Sequence, residues 1–258
     1  MHGHQPRKRF GQNFLADAHY VTRIVDAIAP QPGDNVVEIG PGLAALTGAL
    51  IERAGRITAI EIDRDLAARL RERFPADRLA MHEADALAFD FATLGGDLRV
   101  VGNLPYNISS PLLFHLAAHE ARLRDIHVML QREVVARMTA LPDTPDYGRL
   151  SVMLQARFRV SRLFTVPAGA FRPAPKVESA VARLVPLGDD RPRMVDEALF
   201  GRVVTAAFGQ RRKTLGNALA SIAAEATVRD ASIDPGARGE TLSVADFVRL
   251  ANRVAAGR

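Results

Sequence analysis

The sequence predicts an α/β protein: a doubly wound, mostly parallel sheet followed by a small all-helical C-terminal domain. Three observations predict it. Through the first 130 residues, short apolar, β-branched runs alternate with longer segments of helical period. Those runs are nearly continuous in their apolar character, as in strands covered on both faces. Beyond residue 187 the strand-like runs stop and helical segments follow. Alternating β and α with right-handed crossovers leaves a doubly wound sheet as the main solution.

Asn35-Val36-Val37-Glu38-Ile39 reads as a strand that stops at Gly40-Pro41-Gly42, and Leu43, Leu46, Leu50 and Ile51 share one face of a helix over 43–53. Residues 56–61 form a second strand and 63–74 a charged amphipathic helix. Further strands follow at 79–82, 98–102 and 126–130, with a helix over 109–119 before the last. Segments 158–164 and 178–185 read as antiparallel additions to the sheet edge, flanking a loop stiffened by Pro167, Pro173 and Pro175. Leu187-Gly188-Asp189-Asp190-Arg191-Pro192 is a turn-rich break. It divides the chain into a domain of 1–187 and one of 188–258, where 197–208, 213–225 and 244–255 carry helical period.

The 258 residues are 48% hydrophobic and 24% charged, ordinary for a globular protein. No run approaches the roughly 18 apolar residues of a membrane span. The charged residues 1–9 have no apolar core behind them, unlike a secretory signal, so a cytoplasmic location is expected. Without cysteine, disulfides, thiolate metal sites and Cys nucleophiles are excluded. Lys plus Arg number 34 against 29 Asp plus Glu, a net +5 that permits nucleic-acid binding without requiring it. The dense clusters are Arg7-Lys8-Arg9, a nucleic-acid contact or simply a basic end, and Arg211-Arg212-Lys213. The latter sits at an expected helix start, where cations oppose the helix dipole, so a phosphate partner accounts for it better than a solvated face. His115 and His119 lie four apart, but Leu116 stands where the metalloprotease pattern has Glu, and no metal site is expected.

Gly40-Pro41-Gly42 lets the backbone approach a ligand closely. Pro41 removes one N–H that would cradle a pyrophosphate, a loss that a ligand without phosphates would not feel. Glu61 closes the next strand 21 residues after Gly40, the spacing at which a carboxylate meets ribose hydroxyls. Asp85 follows the third strand, where it can accept from an adenine amino group while Ile62 and Ala86 touch the ring. In isolation, a tight turn, a solvated Glu and a helix-capping Asp would look the same. Together they describe a nucleoside site at the carboxyl ends of successive strands.

Asn103-Leu104-Pro105-Tyr106 ends the fourth strand. The exocyclic amine of adenine is a poor nucleophile because its lone pair is delocalised into the ring. Two acceptors on its N–H bonds, the Asn103 side-chain oxygen and the Leu104 carbonyl aimed by Pro105, would draw it toward pyramidal geometry. Tyr106 offers a face to a flipped-out base, stacking worth about 1–3 kcal/mol. A Pro-containing turn with a buried Tyr is the plain alternative.

Gly11-Gln12-Asn13-Phe14-Leu15, Glu38-Ile39-Gly40-Pro41-Gly42-Leu43, Asn103-Leu104-Pro105-Tyr106-Asn107-Ile108 and Phe171-Arg172-Pro173-Ala174-Pro175-Lys176-Val177 occur in order. With Phe208-Gly209-Gln210-Arg211-Arg212-Lys213-Thr214-Leu215 in the tail, the chain resembles the small-subunit ribosomal RNA adenine N6-dimethyltransferases over nearly its whole length. The resemblance implies a Rossmann-like methyltransferase that uses S-adenosylmethionine and acts on two adjacent adenosines near the 3′ end of 16S rRNA in the 30S precursor. It implies Asn13 and Leu15 at the methionine end, Gly40 and Gly42 beside the amino-acid moiety, and Glu61 on the ribose. Ile62, Asp85 and Ala86 would meet the adenine, and Asn103 would stand between cofactor and target base. From its place in the proline-rich loop Phe171 is expected as the opposite wall of the base pocket, or else as packing for that loop; Arg7, Lys8, Arg9, Lys176, Arg211, Arg212 and Lys213 are the candidate rRNA contacts. A monomer is expected. A macrolide-resistance-type methyltransferase acting on 23S rRNA and a non-catalytic ribosome-assembly factor are the alternatives; the 171–177 loop and 210–214 favour the small-subunit reading.

Overall fold

A two-residue strand, β1 (Phe14–Leu15), opens the computed structural model, which describes residues 13–210 and 212–257. Arg7, Lys8, Arg9 and Arg211, with Gly11 and Gln12, lie outside the described residues. Helix α1 (Ala18–Ile28) follows, capped by Asp17, whose Oδ1 accepts from the His19 N–H at 2.9 Å. It buries Ile24, Val25 and Ile28. Val21, Ile24, Val25 and Ile28 recur at helical spacing, a stripe that the sequence reading passed over.

The alternating segment forms as expected: β2 (Asn35–Ile39), α2 (Thr47–Ala54), β3 (Ile57–Glu61), α3 (Arg64–Arg73), β4 (Leu79–Glu83), β5 (Leu98–Asn103), α4 (Ser109–Ala118) and β6 (Leu123–Gln131). Helix α2 begins at Thr47 rather than at 43, because Gly42 at φ 57° and Ala44 at φ 67° hold the intervening chain in turns. Two helices not read from the sequence come next, α5 (Arg132–Thr139) and α6 (Arg149–Gln155). Then come β7 (Phe158–Val166), the short β8 (Phe171–Arg172) and β9 (Ser179–Pro186).

The seven-stranded sheet has the order β4-β3-β2-β5-β6-β9-β7. Its β4-to-β6 portion is parallel and β9 joins β6 antiparallel. Chain order reverses between β2 and β5, which opens a crevice beyond their carboxyl ends. Apart from the sheet, β1 pairs with β8, Phe14 opposite Arg172 and Leu15 opposite Phe171. At the far end of the strands, buried Arg99 joins β5 to β6 and to the end of α1. It bonds Asp125 Oδ2 and Asp34 Oδ2 at 2.8 Å each and the Ile28 carbonyl at 2.6 Å. Burial alone would raise the Asp125 carboxyl, but His127 and Arg99 outweigh it and hold the group well below the usual carboxylate range.

The chain divides into two compact units, 1–135 with 161–186 and 136–160 with 187–258. The break at Leu187 coincides with a unit boundary, but 136–160 belongs to the second unit and not, as expected, to the first. The reason is burial. Tyr147, Val152 and Ala156 share one core with α7 (Glu197–Gly209) and α10 (Val244–Ala256), and the Tyr147 hydroxyl donates to the Leu242 carbonyl at 2.8 Å. The helix expected over 213–225 is instead two short ones, α8 (Leu215–Ala218) and α9 (Glu225–Asp230). Between them the chain turns, with the N–H groups of Ile222 and Ala223 both bonding the Leu219 carbonyl. Among the described residues no helix is long and apolar enough to cross a membrane.

Candidate active site

The glycine loop after β2 turns back on itself through left-handed residues, Gly40 at φ 65° and Gly42 at φ 57°. A Cβ at Gly42 would lie 3.0 Å from the Phe14 ring, so the bare backbone is needed where β1 crosses it. Three of the loop's N–H groups are used internally. Gly40 donates to the Ile60 carbonyl at 2.9 Å, Gly42 to Glu61 Oε2 at 3.2 Å and Ala44 to the Pro41 carbonyl at 2.9 Å.

Glu61, 5% exposed, takes a second backbone bond on Oε1 from the Asp63 N–H at 3.0 Å. Both oxygens are thereby fixed, each with a lone pair left for a hydroxyl donor. Burial raises its carboxyl above the ordinary value, against the pull of those N–H groups. Asp85, exposed in the turn after β4, accepts from the Leu87 N–H at 2.9 Å. Ile62 is an exposed apolar side chain at 47%, whereas Ala86 is buried.

The carboxyl end of β5 supplies the other wall. Asn103 Nδ2 donates to the Asn13 carbonyl at 3.1 Å, which orients the amide and turns its nitrogen toward the N-terminal segment. Leu104 is buried, its N–H on the Met129 carbonyl at 3.2 Å. Tyr106 is half-buried, with its hydroxyl 2.9 Å from Ser179 Oγ. One cleft is lined by Asn13, Leu15, Gly40, Gly42, Glu61, Ile62, Asp85, Ala86, Asn103, Leu104 and Tyr106. These residues come from positions 13 to 106, and the strand ends gather them.

Phe171 is not in that cleft. It is 1% exposed and sits in the core with Leu15, its partner across the β1–β8 pair, so it cannot serve as a wall of the base pocket. Lys176 is exposed on the loop before β9 and does not line the cleft. Arg212 and Lys213 are exposed in the turn between α7 and α8. His115 and His119 pack edge to face, rings 5.1 Å apart, and His115 Nε2 bonds the Phe89 carbonyl at 2.8 Å.

Two residues the sequence reading missed belong to the cleft or touch it. Glu38 lines its floor at 3% exposure; burial, with a smaller push from Glu61, lifts its carboxyl to about 7 despite the Thr47 hydroxyl beside it. A lone acid inside an apolar strand run was the available signal. Ser179 holds the Tyr106 hydroxyl from 73 residues away, and nothing local marked it.

A family model described as ribosomal RNA adenine dimethylase matches residues 3–256. The chain belongs to that family. It is 62% identical over 256 residues to the Ribosomal RNA small subunit methyltransferase A of Aromatoleum aromaticum, covering 99% of this chain and 97% of that one. It is 59% identical to the protein of the same name from Thiobacillus denitrificans, covering 95% and 96%. Among solved structures it is similar to a dimethyladenosine transferase from Plasmodium falciparum (TM-score 0.77, 24% identity, 92% and 95% covered). It is also similar to the 23S rRNA methyltransferase ErmE (TM-score 0.69, 28% identity, 94% and 100% covered). The chain is thus an rRNA adenine methyltransferase with the doubly wound fold that its sequence predicts.

Proposed function

We propose that this enzyme transfers methyl groups from S-adenosylmethionine to N6 of two adjacent adenosines near the 3′ end of 16S rRNA in the 30S precursor. Each adenosine becomes N6,N6-dimethyladenosine, and the enzyme acts in the cytoplasm as a monomer without a metal. The observation that carries this reading is the meeting, in one cleft, of an amine-gripping corner (Asn103, Leu104, Tyr106) and a nucleoside site (Gly40, Gly42, Glu61, Asp85). The relatives' small-subunit name favours 16S rRNA over the large-subunit and non-catalytic alternatives.

The cleft fits a nucleoside that is cationic and carries no phosphate. The N–H groups of Gly40, Gly42 and Ala44 are bonded within the protein and Pro41 has none, which takes donors away from a pyrophosphate. Its lining carries Glu61 and its rim Asp85, which suit a positive charge. Glu61 would take the ribose hydroxyls, Ile62, Asp85 and Ala86 the adenine, and Asn13, Leu15, Gly40 and Gly42 the methionine end. When bound, S-adenosylmethionine supplies a methyl carbon on sulfonium sulfur, whose bond breaks toward sulfur as the N6 lone pair takes the carbon.

The protein positions the acceptor. The Asn103 side-chain oxygen and the Leu104 carbonyl hold the two N6 protons, and the Tyr106 face holds the base. After transfer the N6 proton is acidic and leaves to solvent, so no dedicated base is required. Lys176, Arg212 and Lys213, with Arg7, Lys8, Arg9 and Arg211, would hold RNA phosphates.

Nucleoside mass spectrometry of unmodified 30S particles incubated with enzyme and cofactor tests the reading. Dimethyladenosine is expected in 16S rRNA and none in protein-free 23S rRNA; the reverse pattern would support the large-subunit alternative. Asn103→Ala is expected to lower transfer by about 100-fold or more, the scale of losing one preorganised polar group, with particle binding nearly intact. Full activity in that variant would remove Asn103 from the role.

A further inference from the structure

Stacking does not require a hydroxyl on the aromatic ring; a Phe face would hold a base as well. The Tyr106 hydroxyl therefore needs another account, and its partner provides one. Ser179 is fully buried, and its Oγ lies 2.9 Å from the phenol oxygen. Ser179 is the first residue of β9, opposite Gln131 at the end of β6. Sheet order puts β9 two strands from β5, so this bond carries the Tyr106 ring across the top of β6. Among the described residues, the segment that bears Tyr106 is otherwise held through backbone groups, with the Ser109 hydroxyl donating to the Pro105 carbonyl at 3.1 Å. The Leu104 N–H bonds the Met129 carbonyl and the Ile108 N–H the Pro105 carbonyl, each at 3.2 Å. Neither bond sets the plane of the ring.

We infer that Ser179 is the positioning residue that fixes the plane of Tyr106, and that the second methyl transfer to each adenosine depends on this tether more than the first. The inference rests on the function proposed above. An unmodified amine offers two N–H bonds, and Asn103 and Leu104 can take both. Once monomethylated it offers one, so half of the polar grip is lost and orientation passes to the stacking face. Each transfer makes one N–C bond, leaves the sulfonium donor as a thioether and releases one proton. The chemistry is the same in the two steps, and only the means of holding the base differs. Ser179 also follows directly on the loop that carries exposed Lys176, so the same residue joins a candidate RNA-contacting loop to the ring that receives the base.

The test compares monomethyl- and dimethyladenosine formed on 30S particles by wild type, Ser179→Ala, Tyr106→Phe and the double variant, under single-turnover conditions for each step. Tyr106→Phe keeps the stacking face at a half-buried position, so the test stands even if Ser179→Ala disturbs β9. The expected result is a second-step rate about 10-fold lower in each single variant, the effect of one hydrogen bond. The first step should fall by no more than about twofold in Ser179→Ala and by less than the second step in Tyr106→Phe, and the double variant should be no worse than either single. Monomethyladenosine then accumulates, whereas a purely structural loss would lower both steps in proportion. An unchanged mono-to-dimethyl ratio, or additive losses in the double variant, overturns the inference while wild-type activity upholds the functional reading. Wild type that forms no dimethyladenosine overturns both.

Discussion

Glu38 carries a proton near neutral pH for a reason that lies in its surroundings. It sits on a central strand, one oxygen has no hydrogen-bond partner among the described residues, and the neighbouring Glu61 opposes its ionisation. Its folded carboxyl, near 7, lies above the unfolded value of 4.5. The native state therefore holds the proton more tightly than the unfolded chain. The stability that this gives is fully present below about 4.5 and is lost as pH rises through about 7, an effect of about 3 kcal/mol for a fully buried group. Glu38→Gln should remove that decline. Urea denaturation at pH 5 and pH 8 is expected to show the variant gaining on wild type at the higher pH; parallel pH profiles would contradict the account.

At the scale of elements, the glycine loop separates conformational strain from steric exclusion. Gly40 and Gly42 both have positive φ, but a Cβ at Gly40 meets nothing within 4 Å, whereas one at Gly42 meets the Phe14 ring at 3.0 Å. Ala44, at φ 67°, shows that this loop accepts a left-handed alanine. Gly40→Ala should lose only the roughly 1 kcal/mol of a left-handed side chain. Gly42→Ala must in addition displace Phe14 from β1 and should be clearly less stable. Thermal unfolding without cofactor measures both, and equal losses would show that Phe14 gives way freely. The sequence marked this loop because glycine signals local backbone need. It could not show that the neighbour would be Phe14, 28 positions earlier. Phe171 failed for a related reason: its place in a proline-rich loop suggested a pocket wall, but pairing of β8 with β1 turns its ring into the core.

For the whole molecule, the net charge of +5 is less telling than where exposed cations lie. Arg212 and Lys213 stand in an exposed turn of the second unit, ahead of a four-residue helix too short for a substantial dipole. Their expected role is contact with RNA phosphates, each bound cation releasing counterions. Replacing both with Ser should weaken 30S binding and make log K against log salt shallower by about one and a half. A slope identical to wild type would take this turn out of the interface.

Strand runs and the acidic and glycine residues closing the strands were legible because they obey local rules of period and turn chemistry. A parallel sheet brings its carboxyl ends together wherever it forms, so Gly40, Glu61, Asp85 and Asn103 were readable as one site. What tertiary structure alone decided were the distant pairings. Residues 136–160 joined the helical unit through a shared core, Phe171 went into the interior, and Ser179 came to hold Tyr106. Each depends on which surfaces bury one another, and periodicity records that a face is apolar without recording what covers it.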